Sequence, residues 1–394
     1  MKSPLIQSLI NRIQDRFSQA KSTARNTEAV VRPLPEETRT QIVQRLDQLP
    51  LPKPCLEAVR QTCSDAIARW QTSLEAANSL VILTEPVVPL NDILLQSLAE
   101  LESDTLHIHH PLKTYQRPYD PLQISASLSE ALDGVVPAEQ GAADTPATLE
   151  QRQHVVVISA LEQCFLRCIQ GWESIEHLQK QVVHRQSCFW IIGCSSWAWA
   201  FLERVCRTST YLEQVSPLPK LTDEELRDWL ASLVKEAIFL NDSRDISAAK
   251  AGDRQSYWSA LANLSEGRST IAAQLWLHSL GIQAADLPDD ESASLAPEDL
   301  SLCLRKPVLP SLPKLDQTDR YLLQSLLIHG SLTQAHLTLS LGEAETQVRS
   351  RLQILRREGV VRHDRDRITL NPGHLPRLRN ELSNNNFLVG EEVS

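Results

Sequence analysis

The chain has 394 residues, 42% of them hydrophobic, enough for two or three domains that each bury a core. Its longest apolar candidate, Cys188 to Leu202, is short and broken by Gly193, Ser195 and Ser196, which excludes a bilayer-spanning helix. A net charge of −10 excludes coating nucleic acid with the whole surface, and eight scattered cysteines without CxxC pairs or a signal-peptide pattern point to a reduced, cytoplasmic compartment.

Charge is unevenly placed. From Glu343 to Arg379 there are nine arginines and five acids, about +4, which leaves roughly −14 for the remainder. Contact with nucleic acid is therefore expected to be local and close to the C-terminus.

In chain order, residues 3 to 24 carry Leu5, Ile6, Leu9, Ile10, Ile13 and Phe17 at helical spacing, with Lys2, Arg12, Arg16 and Lys21 elsewhere. Such an amphipathic helix suits packing on the protein itself, a partner protein, or peripheral contact with a membrane surface. Asp15 speaks against an organelle-targeting segment. Arg32 to Pro35 break this helix, and a second helical region is predicted from about Glu36 to Asn78, interrupted around Pro50 to Pro54.

Short apolar runs then alternate with helical patterns. Leu80 to Leu83, Leu106 to Ile108, Val155 to Ile158 and Phe189 to Ile192 predict buried strands, with helices at Asp92 to Glu102, Leu161 to His184 and Trp197 to Arg207. The alternation predicts an α/β core with a mostly parallel sheet. Pro121 to Thr148, rich in Ala, Ser, Asp and Gly, is expected to be a loop or flexible insertion. Thr222 to Leu280 is helical in pattern, and the acidic, then proline-rich stretch Gln283 to Lys314 is expected to be a linker. The predicted divisions are an N-terminal helical region (1–78), the core (79–212) with its insertion (121–148), a helical lid (213–282), the linker (283–314), a winged helix-turn-helix domain (315–380) and a tail (381–394).

In that C-terminal domain Tyr321, Leu322, Leu326 and Leu327 form one face of a first helix ended by Gly330. Thr333 caps a second helix with Ala335, Leu337 and Leu339, and Leu341-Gly342 turns into a third that starts near Glu343. On the third, Val348, Leu352 and Leu355 share one side, while Thr346, Arg349, Ser350, Gln353 and Arg357 share the other. Gly359 ends it, and Val360-Val361-Arg362 and Arg367-Ile368-Thr369-Leu370 predict two strands of a wing joined by His363 to Asp366.

The phrase Leu352-Gln353-Ile354-Leu355-Arg356-Arg357-Glu358-Gly359-Val360-Val361 resembles the junction of recognition helix and wing in regulators of the MarR family. The resemblance spans about 55 residues. It implies that the third helix enters a major groove with Arg349, Ser350, Gln353 and Arg357 toward the bases, and that Arg362, Arg365 and Arg367 lie near the phosphate backbone. Winged helices also serve protein contacts, and Asp364 and Asp366 weaken the pull of this wing on phosphate.

The order of strands, the helical region and the terminal winged helix together resemble AAA-like P-loop ATPases of the STAND and origin-recognition kind. That resemblance puts a Walker B strand at Val155 to Ile158, a sensor strand at Phe189 to Cys194 and a lid at Leu261 to Leu280 containing Gly267-Arg268. A phosphate-binding loop needs glycine amides, a lysine and a magnesium-reaching hydroxyl. Thr84 to Asp92 has no glycine or lysine, two prolines remove amide donors, and Glu85 opposes phosphate. Ser159 stands where the family carries a magnesium-binding aspartate, with Glu162 a turn later, and Arg268 is expected to serve structure rather than sense nucleotide.

Other signals carry less. Gly193-Cys194-Ser195-Ser196-Trp197 resembles a nucleophile elbow but lacks its second glycine. Cys164 and Cys168 share a helix face with Phe165 and Leu166 around them and are expected to be buried structural thiols. His107, His109 and His110 cluster without a carboxylate or cysteine pattern to complete a metal site, and the tryptophans, including Trp190, Trp197, Trp199 and Trp276, are expected to serve packing. The leading expectation is a non-enzymatic regulator or scaffold, without cofactor or metal, that presents the winged helix to double-stranded DNA and associates with itself or a protein through its core. An adaptor for proteins or membrane surfaces without DNA, and an atypical NTPase, are the alternatives.

Overall fold

The structure, a computed structural model, describes residues 31–133, 148–231, 233, 237–239, 251–283 and 302–390. The amphipathic pattern at 3–24, the second half of the expected insertion, parts of the expected lid and linker, and the last four residues of the tail lie outside them. Within the described residues no helix is long and apolar enough to cross a membrane. The chain gathers into two compact units, 1–50 with 222–267 and 272–308, and 51–221 with 268–271 and 309–394.

The first unit holds helices Glu36–Asp47, Asp223–Leu230 and Ala251–Ser265. Thr222 and Glu225 close a capping box at the start of the second, where each side chain satisfies the other's backbone amide. Beside the expected helices stands a four-stranded mixed sheet in the order Val31–Arg32, Leu280–Gln283, Leu302–Leu304, Ala237–Phe239. Its strands have two to four residues, too short for periodicity to reveal, and Leu302–Leu304 falls within the stretch expected to be linker.

The second unit is an α/β core joined to a helical C-terminal part. Its parallel sheet comprises β1 (Ser79–Thr84), β2 (His107–His109), β3 (His154–Ile158), β4 (Cys188–Ser195) and β5 (Val215–Pro217), in the spatial order β2-β3-β4-β1-β5. β1 and β4 are buried along their whole length, as unbroken apolar runs in the middle of a parallel sheet require. One face is covered by α1 (Lys53–Thr72) and α2 (Leu90–Leu98). Val59, Cys63, Ile67 and Trp70 meet Ile93, Leu94 and Leu98 above Leu80, Ile82, Val155, Val157, Phe189 and Ile191. α1 thus belongs to this unit through the buried stripe at its four-residue spacing.

Two local expectations change. Inside the expected insertion α3 (Ile124–Asp133) forms, because Ile124, Leu128 and Leu132 recur every four residues and are buried despite the serine and alanine around them. The long helix expected from Leu161 to His184 is a 3-10 turn at Leu161–Gln163 followed by α4 (Glu173–His184). The break lies at Gln170, with φ of +60°, and Gly171, where an added Cβ would come within 2.1 Å of the Leu166 carbonyl oxygen. α5 (Ser196–Cys206) then follows directly on β4.

The C-terminal part runs α6 (Gln317–His329), β6 (Ser331–Thr333), α7 (Gln334–Leu341), α8 (Glu345–Arg357), β7 (Val361–Asp364), β8 (Arg367–Leu370) and α9 (Leu375–Asn384). Asp316 caps α6 and Thr333 caps α7, each side chain accepting the amide three residues on. Gly342 and Gly359 follow α7 and α8 with φ of +68° and +73°, the left-handed exit that ends a helix. β6, β8 and β7 form an antiparallel sheet in that order.

Candidate functional site

α8 divides its side chains as its spacing predicts. Val348, Leu352 and Leu355 are buried, and Thr346, Arg349, Ser350, Gln353 and Arg357 are exposed together. Arg351, between the two faces, pairs with Asp316 at 2.5 Å and Asp319 at 3.8 Å, which fastens α8 to the start of α6. The outer face also holds residues outside the predicted set. Ile354 is 49% exposed, and the Glu345 carboxylate accepts from Arg349 at 2.8 Å and Gln334 at 2.9 Å. The four-residue spacing of Glu345 and Arg349 signals that pair in the sequence.

In the hairpin the strands reach further than expected. Asp364 pairs with Arg367, so the turn is Arg365-Asp366 alone, with Arg365 at φ of +56° on the tip. Arg362 and Arg365 are exposed. Arg362 donates to the Asn371 side chain at 3.2 Å, and Asn371 in turn donates to the Gly359 carbonyl at 2.9 Å, closing the base of the hairpin. Arg367 departs from the expected placement. It is half-buried and its guanidinium donates to Ser331 Oγ at 3.2 Å and Gln163 Oε1 at 3.5 Å, so it is engaged by the core side of β8 and not by the outer face.

The C-terminal edge of the parallel sheet, where open α/β folds place their ligands, is closed by the chain itself. Five residues connect β1 to α2, and Glu85, the first of them, is 2% exposed. Its carboxylate lies 2.7 Å from the Arg379 guanidinium of α9, and its other oxygen has no hydrogen-bond partner among the described residues. Within the turn Val88 N–H donates to the Glu85 carbonyl, and Asp92 and Ile93 N–H, in the first turn of α2, donate to the Pro89 carbonyl. Ser159 donates to Asn91 Oδ1 at 2.5 Å. An added Cβ on Gly390 would meet Ser196 Oγ at 2.6 Å, so the tail lies on the first turn of α5. Gln324 holds that tail through the Leu388 carbonyl at 3.0 Å, and the rings of Tyr321 and Phe387 meet edge to face.

Beside this edge lies Glu162, half-buried as a residue but with its carboxyl Oε2 shut from solvent. Burial pushes the Glu162 carboxyl up to about 7, against the opposing pull of backbone hydrogen bonds, one from Ser195, and of the nearby Arg117. Arg117 donates to the Glu162 carbonyl, and burial brings its own pKa down to about 10. His329 is fully buried and held well below the ordinary imidazole range by burial and by Arg117. Its Nε2 accepts the Arg167 amide at 3.1 Å, as a neutral ring can.

The remaining signals resolve as structure. Ser195 caps α5 by accepting the Ala198 amide at 3.1 Å, and Cys194 is fully buried with its thiol pushed well above its usual range by that burial, so neither is an accessible nucleophile. Burial raises Cys164 to about 12. Arg268 is buried and donates to the Leu218 carbonyl at 2.8 Å, a structural role. His109 Nε2 lies 3.0 Å from Nδ1 of His154, which sits beside His107 across the strand pair. Among the described residues no three or more metal-ligating side chains are grouped to hold an ion.

No protein-family model matches the sequence, and no curated protein does. The solved structures that it is similar to include Cdc6p from Pyrobaculum aerophilum, 14% identical over 86% of this chain and 96% of that one, with a TM-score of 0.32. The Aeropyrum pernix ORC2 protein in its ADPNP-ADP complexes is 12% identical over 85% and 94%, at 0.34. A mutant RuvB from Thermotoga maritima is 13% identical over 84% and 95%, at 0.31. Likeness this loose leaves function to the side chains themselves.

Proposed function

We propose that this chain is a non-catalytic regulator or scaffold whose α/β core carries a C-terminal winged helix that binds duplex DNA. The observation that carries the reading is the exposed row of Thr346, Arg349, Ser350, Gln353 and Arg357 on α8, opposite the buried Val348, Leu352 and Leu355. A helix so divided, flanked by a hairpin with Arg362 and Arg365 at its outer surface, offers hydrogen-bond donors to base edges and cations to phosphate. Two observations support a core without catalysis. Glu85 stands where an anion would need positive charge, and Arg379 and the tail fill the edge of the sheet.

The test is a titration of full-length protein into a labelled duplex at two salt concentrations. Affinity should fall steeply with salt, and Arg349→Ala or Arg357→Ala should weaken binding by about 1–3 kcal/mol. Unchanged affinity in both variants sinks the reading. Exposed Ile354 and the two wing acids favour a second reading, a surface for another protein. That reading gains if duplex binding is absent while Ile354→Asp abolishes a protein association.

A further inference from the structure

Tyr119 belongs to the core, in the loop between β2 and α3, yet its contacts are with the C-terminal part. Its hydroxyl donates to Asp366 Oδ2 at 3.2 Å, at the tip of the hairpin. Its ring stacks on His336 of α7 with centroids 5.7 Å apart and planes 19° from parallel. His336 is fixed in turn. Its Nε2 donates to the Pro118 carbonyl at 2.9 Å, which leaves Nδ1 to accept from Thr333 Oγ1 at 3.0 Å. The cleft beside these groups has a volume of about 30 Å³, room for a water or two.

Held at both ends, Tyr119 is still 64% exposed, so burial of its ring accounts for little of its placement. What it does geometrically is join the hairpin tip to α7. β8 is paired on both sides up to Arg367, with Thr333 and with Asp364, so only the turn Arg365-Asp366 extends beyond the paired strands. Asp366 adjoins Arg365, whose left-handed backbone aims the tip. The Tyr119 bond fixes this turn relative to α7, and through the α7–α8 turn relative to the face of α8.

From this geometry we infer that Tyr119 is a positioning residue of the duplex-binding surface, a core side chain that sets the hairpin so that Arg365 and the α8 face meet one duplex together. The inference rests on the DNA reading above and adds to it that the core takes part in binding by holding the hairpin. Asp366 gives up one carboxylate lone pair to Tyr119 in the process, which tempers its repulsion of phosphate at the tip.

The test uses full-length protein and a labelled duplex of random sequence, titrated across a series of salt concentrations, with Arg357→Ala as reference. Tyr119→Ala should weaken binding about 5- to 20-fold, and the slope of log affinity against log salt should lose about one counterion, because the tip's phosphate contact is lost. Tyr119→Phe keeps the stack and loses the hydrogen bond that reaches the tip, and should show the same loss of slope and most of the loss of affinity, with an unchanged melting curve. If Arg357→Ala weakens binding while both Tyr119 variants keep parental affinity and slope, the inference fails and the DNA reading stands. A loss in Tyr119→Ala at unchanged slope, with lower thermal stability, also overturns it, since a loosened fold explains that result. No effect from any of the three variants sinks the DNA reading first.

Discussion

The Glu85 carboxylate and the Arg379 guanidinium meet 2.7 Å apart at the C-terminal edge of the parallel sheet, with side chains 3% and 17% exposed. The pair joins residues 294 positions apart and ties α9 to the turn after β1. A carboxylate in that turn requires a cation near it, and the chain supplies one from its own last helix.

Removing one partner should show how strongly this tie holds. Arg379→Ala leaves a carboxylate buried without its cation, a change that typically costs about 3–5 kcal/mol. Glu85→Gln on the same background removes the stranded charge and should recover part of the loss. Urea unfolding of the two single variants and the double one closes the cycle, with a coupling above about 1 kcal/mol expected. Strict additivity would show that the pair does not act as a clamp.

Glu162 makes stability depend on pH. Burial raises its carboxyl from 4.5 to about 7, so between those values the folded protein holds a proton that the unfolded chain has released. Stability from this group is complete below pH 4.5, falls as pH rises to about 7, and is flat above; the full drop is about 3 kcal/mol. Glu162→Gln cannot ionise. Urea unfolding at pH 5 and pH 8 should show the variant gaining on the parent as pH rises, and an equal difference at both values would remove Glu162 as the cause.

The sequence made the long apolar strands legible, because Leu80 to Leu83, Val155 to Ile158 and Phe189 to Ile192 are unbroken runs that only the middle of a sheet buries. The division of α8 was legible for a similar reason, since Val348, Leu352 and Leu355 keep helical period. Relations between distant positions were not. Nothing local marks Glu85 for Arg379 or Tyr119 for Asp366, and a strand position alone did not reveal that Arg367 turns toward Gln163 and Ser331. Strands as short as Leu302–Leu304 carry too few residues to show alternation.

On the α8 face, Glu345 opposes the proposed ligand twice, by its charge and by holding Arg349. Glu345→Ala frees that arginine and removes the carboxylate. Duplex affinity should rise about 2- to 5-fold at low salt, the scale of an exposed ion pair, and the gain should fade as salt is added. Weaker binding in this variant would instead place Glu345 among the groups that contact the bases, since a carboxylate can accept from cytosine N4.

The residues at the sheet edge are poorly matched to a triphosphate. The turn after β1 has two prolines without N–H and a Val88 amide given to the Glu85 carbonyl, offers no lysine, and presents Glu85, while Arg379 pairs with that carboxylate. A nucleotide bound at 100 times its dissociation constant would stabilise the fold by about 2.7 kcal/mol. Millimolar ATP with magnesium should therefore leave the melting temperature of the full chain unchanged. A clear upward shift would mean that α9 and the tail yield their place to the nucleotide. Arg379→Ala should then enlarge that shift, because it removes the side chain that closes the edge.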